Sequence, residues 1–248
     1  MRHIGIGIGK DAEKVLASIE HLPDDIEIRG YCLPGAIHTQ RIAVPVVEDA
    51  KADVLMVGDL MAGRLDAAVR GTLPANSTLR ALRQAAGVSH LERIALLETV
   101  QGQKFLLAPV GVDEGWSVSQ RLELIRKGRA IASRLGLPAE VGVLSGGRLG
   151  DIGRHPEVDR SLASGELLSR IGEATHYEIR IEDAIRTCGL IIAPDGISGN
   201  LIFRTLTFLG SGKGHGAPVV NISRIFVDTS RASPDYRNAL MLADLLSK

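Results

Sequence analysis

Aromatic residues are scarce: three tyrosines, four phenylalanines and one tryptophan make up 3% of the 248 residues. Few rings are left for stacking on unpaired bases. Net charge is absent too, with 29 basic side chains against 29 acidic ones, so no global field draws the chain to nucleic acid or to an anionic membrane. Neither is expected as a partner. The two cysteines, Cys32 and Cys188, stand far apart and form no CxxC; they read as buried thiols in a reducing compartment, without a disulfide framework or zinc knuckle. Polar residues break every apolar run before the roughly 18 residues a membrane helix needs. Lys10, Asp11 and Glu13 come too early for a signal-peptide apolar region, so a cytoplasmic location is expected. No stretch repeats at a fixed period. His3, His21, His38, His90, His155, His176 and His215 show no metal-ligand spacing, and no metal is expected.

What is present suits a globular α/β protein, since 45% hydrophobic residues supply one large core or two small ones. Ile4, Ile6 and Ile8 alternate as a strand, and Ala12, Val15, Leu16 and Ile19 have helical spacing. Between them Gly7-Ile8-Gly9-Lys10-Asp11-Ala12 fits G-x-G-x-x-A, but the second apolar run, 26–33, ends in Tyr31-Cys32-Leu33 and not in a ribose-binding acid. A plain tight turn is the preferred reading; an S-adenosylmethionine turn fares no better, with His3 where its acid would stand. Residues 42–47 and 52–58 read as short buried strands and 59–69 as a helix. Asn76 or Ser77 can cap a helix through Leu79, Leu82 and Ala86, with Arg70 and Arg80 beside it as solvated arginines.

From Leu91 the pattern renews itself. Residues 94–97 and 105–110 suit a hairpin, and 117–135 an amphipathic helix with Val118, Leu122, Ile125, Ile131 and Leu135 near one face and Gly136 closing it. Residues 141–144 form a buried strand opening onto Ser145-Gly146-Gly147, an anion-binding candidate. A surface excursion is expected over 154–165, a helix over 166–171, a short strand over 179–181 and a buried strand over 190–193.

That last strand feeds Pro194-Asp195-Gly196-Ile197-Ser198-Gly199-Asn200, where Ser198 or Asn200 can cap a helix ending at Gly210. The turn falls short of a nucleophile elbow, so Ser198 is not assigned as a nucleophile. In the loop Gly210-Ser211-Gly212-Lys213-Gly214-His215-Gly216, Thr207 replaces the first P-loop glycine and Gly214 the magnesium-binding hydroxyl. It is a mobile basic loop in which Lys213 and His215 could reach an anion. Asp228-Thr229-Ser230-Arg231 follows.

Four segments in this order resemble phosphate acetyltransferase over about residues 65–248: Arg70-Gly71-Thr72 through Leu82, Gly136-Leu137-Pro138 through Ser145, Pro194-Asp195 through Asn200, and Asp228-Thr229-Ser230-Arg231. The phosphate acyltransferases of lipid synthesis share a similar Asp-Gly-x-x-Gly-Asn. Closer still, Ala108-Pro109-Val110-Gly111-Val112-Asp113-Glu114-Gly115 and the short length resemble the methyltransferase-related MtxX family of methanogens.

The resemblance implies a two-lobed isocitrate and isopropylmalate dehydrogenase-like fold and a homodimer, with residues 1–86 and 217–248 in one lobe and 87–216 in the other. It implies a phosphorylated or acyl-phosphate ligand in the cleft, with coenzyme A as a candidate cofactor. Ser230 and Arg231 would be catalytic, Arg231 neutralising charge in the transition state. Ser145, Gly146, Asp195, Gly199, Asn200, Lys213 and His215 would bind ligand. One position departs from the pattern: the family's thiol-deprotonating aspartate, six residues after the arginine, is Arg237, and Asp235 lies two residues earlier. Acetyl transfer by the usual route is therefore not expected. The alternative is a component of a methyl-transfer system, with methyltransferase subunits as partners. A dehydrogenase comes third, since paired metal-binding carboxylates are not apparent.

Overall fold

A computed structural model describes residues 1–37 and 44–248. His38 and the first two residues of the strand expected over 42–47 lie outside the described residues; of the remainder, Val46 and Val47 begin β3 and Val44 and Pro45 precede it. In chain order the elements are β1 (Arg2–Ile8), α1 (Ala12–Ile19), β2 (Ile26–Cys32), β3 (Val46–Glu48), α2 (Ala52–Met61), β4 (Ala67–Val69), α3 (Ala75–Ala86), β5 (Ala95–Glu98), β6 (Lys104–Ala108) and α4 (Val118–Arg134). There follow β7 (Val141–Val143), α5 (Pro156–Ile171), β8 (Thr175–His176), α6 (Ile181–Thr187), β9 (Leu190–Ile192), α7 (Gly196–Phe208), β10 (Lys213–Gly214), β11 (Ala217–Pro218), β12 (Ile225–Asp228) and α8 (Arg237–Ser247). They divide into two compact units: Met1–Leu91 with His215–Lys248, and Glu92–Gly214.

The first unit is built on a sheet ordered β11-β12-β4-β1-β2-β3, parallel except where β11 meets β12. Its core joins Tyr31, Met56, Val57, Leu60, Leu65 and Phe226, each fully buried apolar side chain adding about 1.5–3 kcal/mol. The parallel strands send their carboxyl ends to one edge, where α/β sheets bind ligands. Gly9, Arg70 and the segment after Asp228 all stand there.

The second unit has the order β10-β5-β6-β9-β7-β8, antiparallel through β6 and parallel from β6 onward. The expected hairpin is present as β5 and β6. The helix expected over 117–135 is α4, opened by a capping box in which the Ser117 hydroxyl accepts from the Gln120 N–H and the Gln120 side chain accepts from the Ser117 N–H. Its buried stripe is Arg121, Leu124, Ile125, Gly128 and Ala132, rotated from the expected face. Gly128 lets the helix lie close on β9, since a Cβ there would meet Leu190 at 2.5 Å.

Several local expectations are overturned. Residues 52–58 belong to α2: Ala52, Asp53, Met56, Val57 and Leu60 are buried at helical spacing, so β-branched content misled where periodicity decides. Residues 59–69 finish that helix, turn at Gly63 and end in strand β4. The surface excursion over 154–165 is the first half of α5, with His155 as N-cap, Pro156 at its start and Glu157 and Asp159 complementing the dipole. Residues 179–181 are not a strand; β8 lies earlier, and Ile181 starts α6. Helix α3 begins at Ala75 behind Pro74, so neither Asn76 nor Ser77 caps it.

Candidate functional site

In the first unit, two of the resembling segments are joined. The Arg70 Nε donates to Asp228 Oδ1 at 2.5 Å, its Nη1 donates to the Leu73 carbonyl at 2.7 Å, and the Thr229 hydroxyl donates to the Gly71 carbonyl at 3.0 Å. Arg70 is 4% exposed, which corrects its reading as a solvated arginine: Asp228 lies far away in sequence and gave no local sign of the pair. Arg80 is exposed. The first glycine turn packs against the same segment. A Cβ on Gly7 would meet the Arg70 carbonyl at 2.3 Å, and the Gly9 N–H donates to the Thr72 hydroxyl at 2.8 Å. Close packing accounts for these glycines without a nucleotide. Beyond the turn lies a cavity of about 600 Å³ lined by Gly9, Lys10, Leu33 and Ile37 among others.

Ser230 and Arg231 extend from this frame. The Ser230 carbonyl accepts from the Ser233 N–H at 3.1 Å and from the Tyr236 hydroxyl at 3.3 Å, and its hydroxyl accepts from the Ala232 N–H at 3.2 Å. Arg231 is exposed. Arg237 caps the end of α1, its guanidinium donating to the carbonyls of Glu20 at 3.2 Å and His21 at 2.6 Å. Asp235 accepts from the Arg237 N–H at 3.2 Å. The departure at Arg237 is thus a structural substitution with a defined job.

Burial pushes the Tyr236 phenol up to about 12, against an attraction from Arg70. An unfolded tyrosine ionises near pH 10, so the unfolded state holds fewer protons between about pH 10 and 12 and stability falls as pH rises through that window. Tyr236→Phe is expected to flatten part of this alkaline decline in melting temperature. Tyr31, raised by burial and then by its hydrogen bond to Asp59, adds to the same decline. A slope identical to wild type would remove Tyr236 from the explanation.

In the second unit the carboxyl edge gathers the other candidates. Asp195, not Ser198 or Asn200, caps α7: its carboxylate accepts from the Ser198 N–H at 2.8 Å and the Ser198 hydroxyl at 3.2 Å. Gly196 and Gly199 face the loop after β6. Added Cβ atoms would stand 1.6 Å from the Gly111 carbonyl and 1.9 Å from the Pro109 carbonyl, and the Asn200 amide donates to the Val110 carbonyl at 2.9 Å. The loop itself is pinned by buried Glu114, which accepts from Arg93 Nε at 2.6 Å and from the Arg93 and Gly111 N–H groups at 3.1 and 3.2 Å. Burial raises the Glu114 carboxyl, with Arg93 opposing.

Ser145 lies just beyond β7, its N–H donating to the Glu178 carbonyl at 2.7 Å. Its hydroxyl lies 3.0 Å from His176 Nε2, and His176 Nδ1 lies 3.3 Å from Glu166 Oε2. Glu166 is held below the usual carboxylate range by Arg170 and then by His176. With Nδ1–H donated to Glu166, Nε2 accepts from the Ser145 hydroxyl, which otherwise donates to the Gly147 carbonyl at 3.1 Å. The order acid, imidazole, hydroxyl is that of an activated serine, but the Gly146 N–H already donates to the Ser161 hydroxyl at 2.8 Å. Sequence reasoning missed Glu166 and His176, ten residues apart across a turn, because no motif spans them.

The remaining candidates are placed differently from expectation. Lys213 sits in β10, paired with β5, and forms an ion pair with Glu98 at 3.4 Å. It is part of a ladder, not of a mobile loop. His215 belongs to the first unit and is 9% exposed. Among the described residues no group of three or more His, Cys, Asp or Glu side chains is placed to hold a metal ion. No described helix is long and apolar enough to cross a membrane.

No protein-family model matches the chain. It is 48% identical over 207 residues to a Methanosarcina barkeri protein named "Putative methyltransferase mtx subunit X", covering 82% of this chain and 76% of that protein. It is 37% identical over 257 residues to a protein of Methanopyrus kandleri named as an uncharacterized methyltransferase, covering 97% of each. Among solved structures, a branched-chain phosphotransacylase from Enterococcus faecalis superimposes with a TM-score of 0.76 at 16% identity, covering 100% of both chains. A 4-hydroxythreonine-4-phosphate dehydrogenase from Klebsiella pneumoniae gives 0.65 at 10% identity, again covering 100% of both. An isocitrate dehydrogenase from Methylococcus capsulatus gives 0.55 at 11%, covering 99% of this chain and 86% of that one. The expected fold class, phosphotransacylase-like and shared with isocitrate dehydrogenase, is the observed one.

Proposed function

The chain belongs to the mtx subunit X family, and on that premise we propose that it binds a small phosphorylated or acyl-phosphate ligand as a transferase-type protein. The observation that carries this reading is Arg231. It is an exposed guanidinium at the carboxyl edge of a parallel sheet, and Ser230 beside it is fixed by Tyr236. Its planar fork suits two phosphate oxygens at once. Ser145 and Asp195 hold the same kind of edge position in the second unit. Gly199 and Asn200 support the ligand-bearing turn from behind, since their contacts go to the Pro109 loop.

Coenzyme A acetylation by thiol deprotonation lacks its base, because Arg237 is committed to the end of α1. The reading is therefore one of ligand binding with different downstream chemistry. In a thermal-shift series, phosphate, acetyl phosphate and coenzyme A are expected to raise the melting temperature of the wild type. Arg231→Ala should lose about 1.5–3 kcal/mol of binding free energy; an unchanged affinity would remove Arg231 from the site.

A second reading follows from the relatives' names: a subunit of a methyl-transfer system working with other methyltransferase subunits. It takes precedence if none of the three ligands shifts the melting temperature while a methyltransferase subunit co-purifies with the chain. A homodimer, a cytoplasmic location and a role in methanogenesis belong to either reading; sedimentation of the purified chain tests the first of these.

A further inference from the structure

Arg121 is charged, buried and short of partners. It lies in the first turn of α4 and is 4% exposed. One terminal nitrogen, Nη2, donates to the Ser164 hydroxyl, while its buried Nε–H has no partner. Among the described residues no carboxylate lies within ion-pair distance of it. The carboxylate that does act on it is Asp195, both of whose oxygens are engaged by Ser198. An ammonium or guanidinium taken out of water costs several kcal/mol unless a counter-charge and hydrogen bonds replace the solvent. Arg121 also sits at the positive end of α4, where backbone polarity opposes it, and the Asp195 carboxylate at the cap of α7 acts the other way. Burial accordingly lowers its pKa, with Asp195 opposing.

We propose that Arg121 is the cation of an anion subsite in the second unit, closed by Ser164 of α5, and that it takes the phosphate of a small ligand. A neutral or cationic ligand would leave the guanidinium uncompensated. The unpaired Nε–H and the Ser164 hydroxyl give a tetrahedral oxyanion two separate donors. Ser161, one turn before Ser164 on α5, accepts from the Gly146 N–H at 2.8 Å, so the same face of α5 ties the subsite to the Ser145-Gly146 turn. The inference shares its ligand class with the proposed function but stands on a different residue in a different unit.

The test is calorimetric and thermal-shift titration of the full chain with inorganic phosphate and with acetyl phosphate, using acetate as control. Phosphate affinity is expected to fall about tenfold to a hundredfold in Arg121→Met, the range for losing a charge-assisted bond. In the absence of phosphate the same variant should melt above the wild type, because the methionine keeps the packed stem and removes the uncompensated charge. Free phosphate is the ligand if it binds as tightly as acetyl phosphate; the phosphate of an acyl phosphate is the ligand if acetyl phosphate binds tighter. Wild-type phosphate affinity in Arg121→Met overturns the proposal, as does acetate binding as tightly as phosphate. Should that variant not fold, Arg121→Lys decides: it keeps the charge and loses the Nε–H and the fork, and wild-type affinity in it overturns the subsite equally. Affinity lost in Arg231→Ala but kept in Arg121→Met would sink the subsite and leave the proposed function standing; the reverse pattern would do the opposite.

Discussion

Arg70→Met is expected to destabilise the first unit by about 3–5 kcal/mol, because it leaves Asp228 as a buried charge without its guanidinium. The loss should exceed that of a surface ion pair, which is worth about 0–1 kcal/mol, and it reaches further than one bond. Arg70 also holds the Leu73 carbonyl, and the neighbouring Gly71 carbonyl holds Thr229, so the segment carrying Ser230 and Arg231 should loosen with it. Adding Asp228→Asn is expected to recover a large part of the loss: it removes the buried charge that has lost the Arg70 guanidinium and keeps an oxygen for the Thr229 N–H. Hydrogen exchange read by mass spectrometry assigns the effect to residues 1–91 and 215–248, separate from the other unit. Arg70→Met within 1 kcal/mol of wild type, or a double variant worse than the single, would refute this account of the pair.

The legible part of the fold was its periodic part. Ile4, Ile6 and Ile8 alternate, and the apolar spacing over 117–135 is that of a long amphipathic run; both became the elements they signalled. Where two signals competed, the stronger physical term was the one given less weight. Val54 and Val57 suggested a strand, yet Met56, Val57 and Leu60 bury one side of α2, and burial of a helical face outweighs a propensity difference of a few tenths of a kcal/mol. Pro156, Glu157 and Asp159 spelled a helix start within a stretch read as a loop from its polarity.

The candidate site was legible as motifs but not as partnerships. Arg70 with Asp228, and His176 with Glu166 and Ser145, meet only when strands align, and no local rule pairs residues across such distances. Arg121 was not singled out, because the apolar face expected for α4 is rotated from the buried one. A charged residue at the position three before Leu124, four before Ile125 and seven before Gly128 lies on the buried stripe of α4, which calls for an explanation of its charge.

Gly199→Ala is the second large expected loss, and it bears on what the shared Asp-Gly-x-x-Gly-Asn segment means. Its new methyl group would lie 1.9 Å from the Pro109 carbonyl, a backbone atom with no rotamer by which to yield. Overpacking costs about 1–3 kcal/mol where side chains can shift; here the loss should lie at or above the top of that range. Gly196→Ala, at 1.6 Å from the Gly111 carbonyl, should be at least as costly. Gly146→Ala is the control, with its nearest neighbour the Ser161 hydroxyl at 3.3 Å, and should stay within about 1 kcal/mol of wild type. Urea unfolding of the three variants, followed through Trp116 in the same unit, gives the comparison. If Gly199→Ala unfolds at the wild-type midpoint, the glycine serves a ligand and not the packing. If the predicted order holds, the Asp-Gly-x-x-Gly-Asn segment and the Pro109-Val110-Gly111 loop are two halves of one clamp, joined by Asn200 and by the Gly196 N–H donated to the Glu114 carbonyl at 3.0 Å. Proteins that share the segment would then share the frame that aims Asp195, while their chemistry depends on what stands around that frame, which in this chain is Arg121, Ser145 and His176.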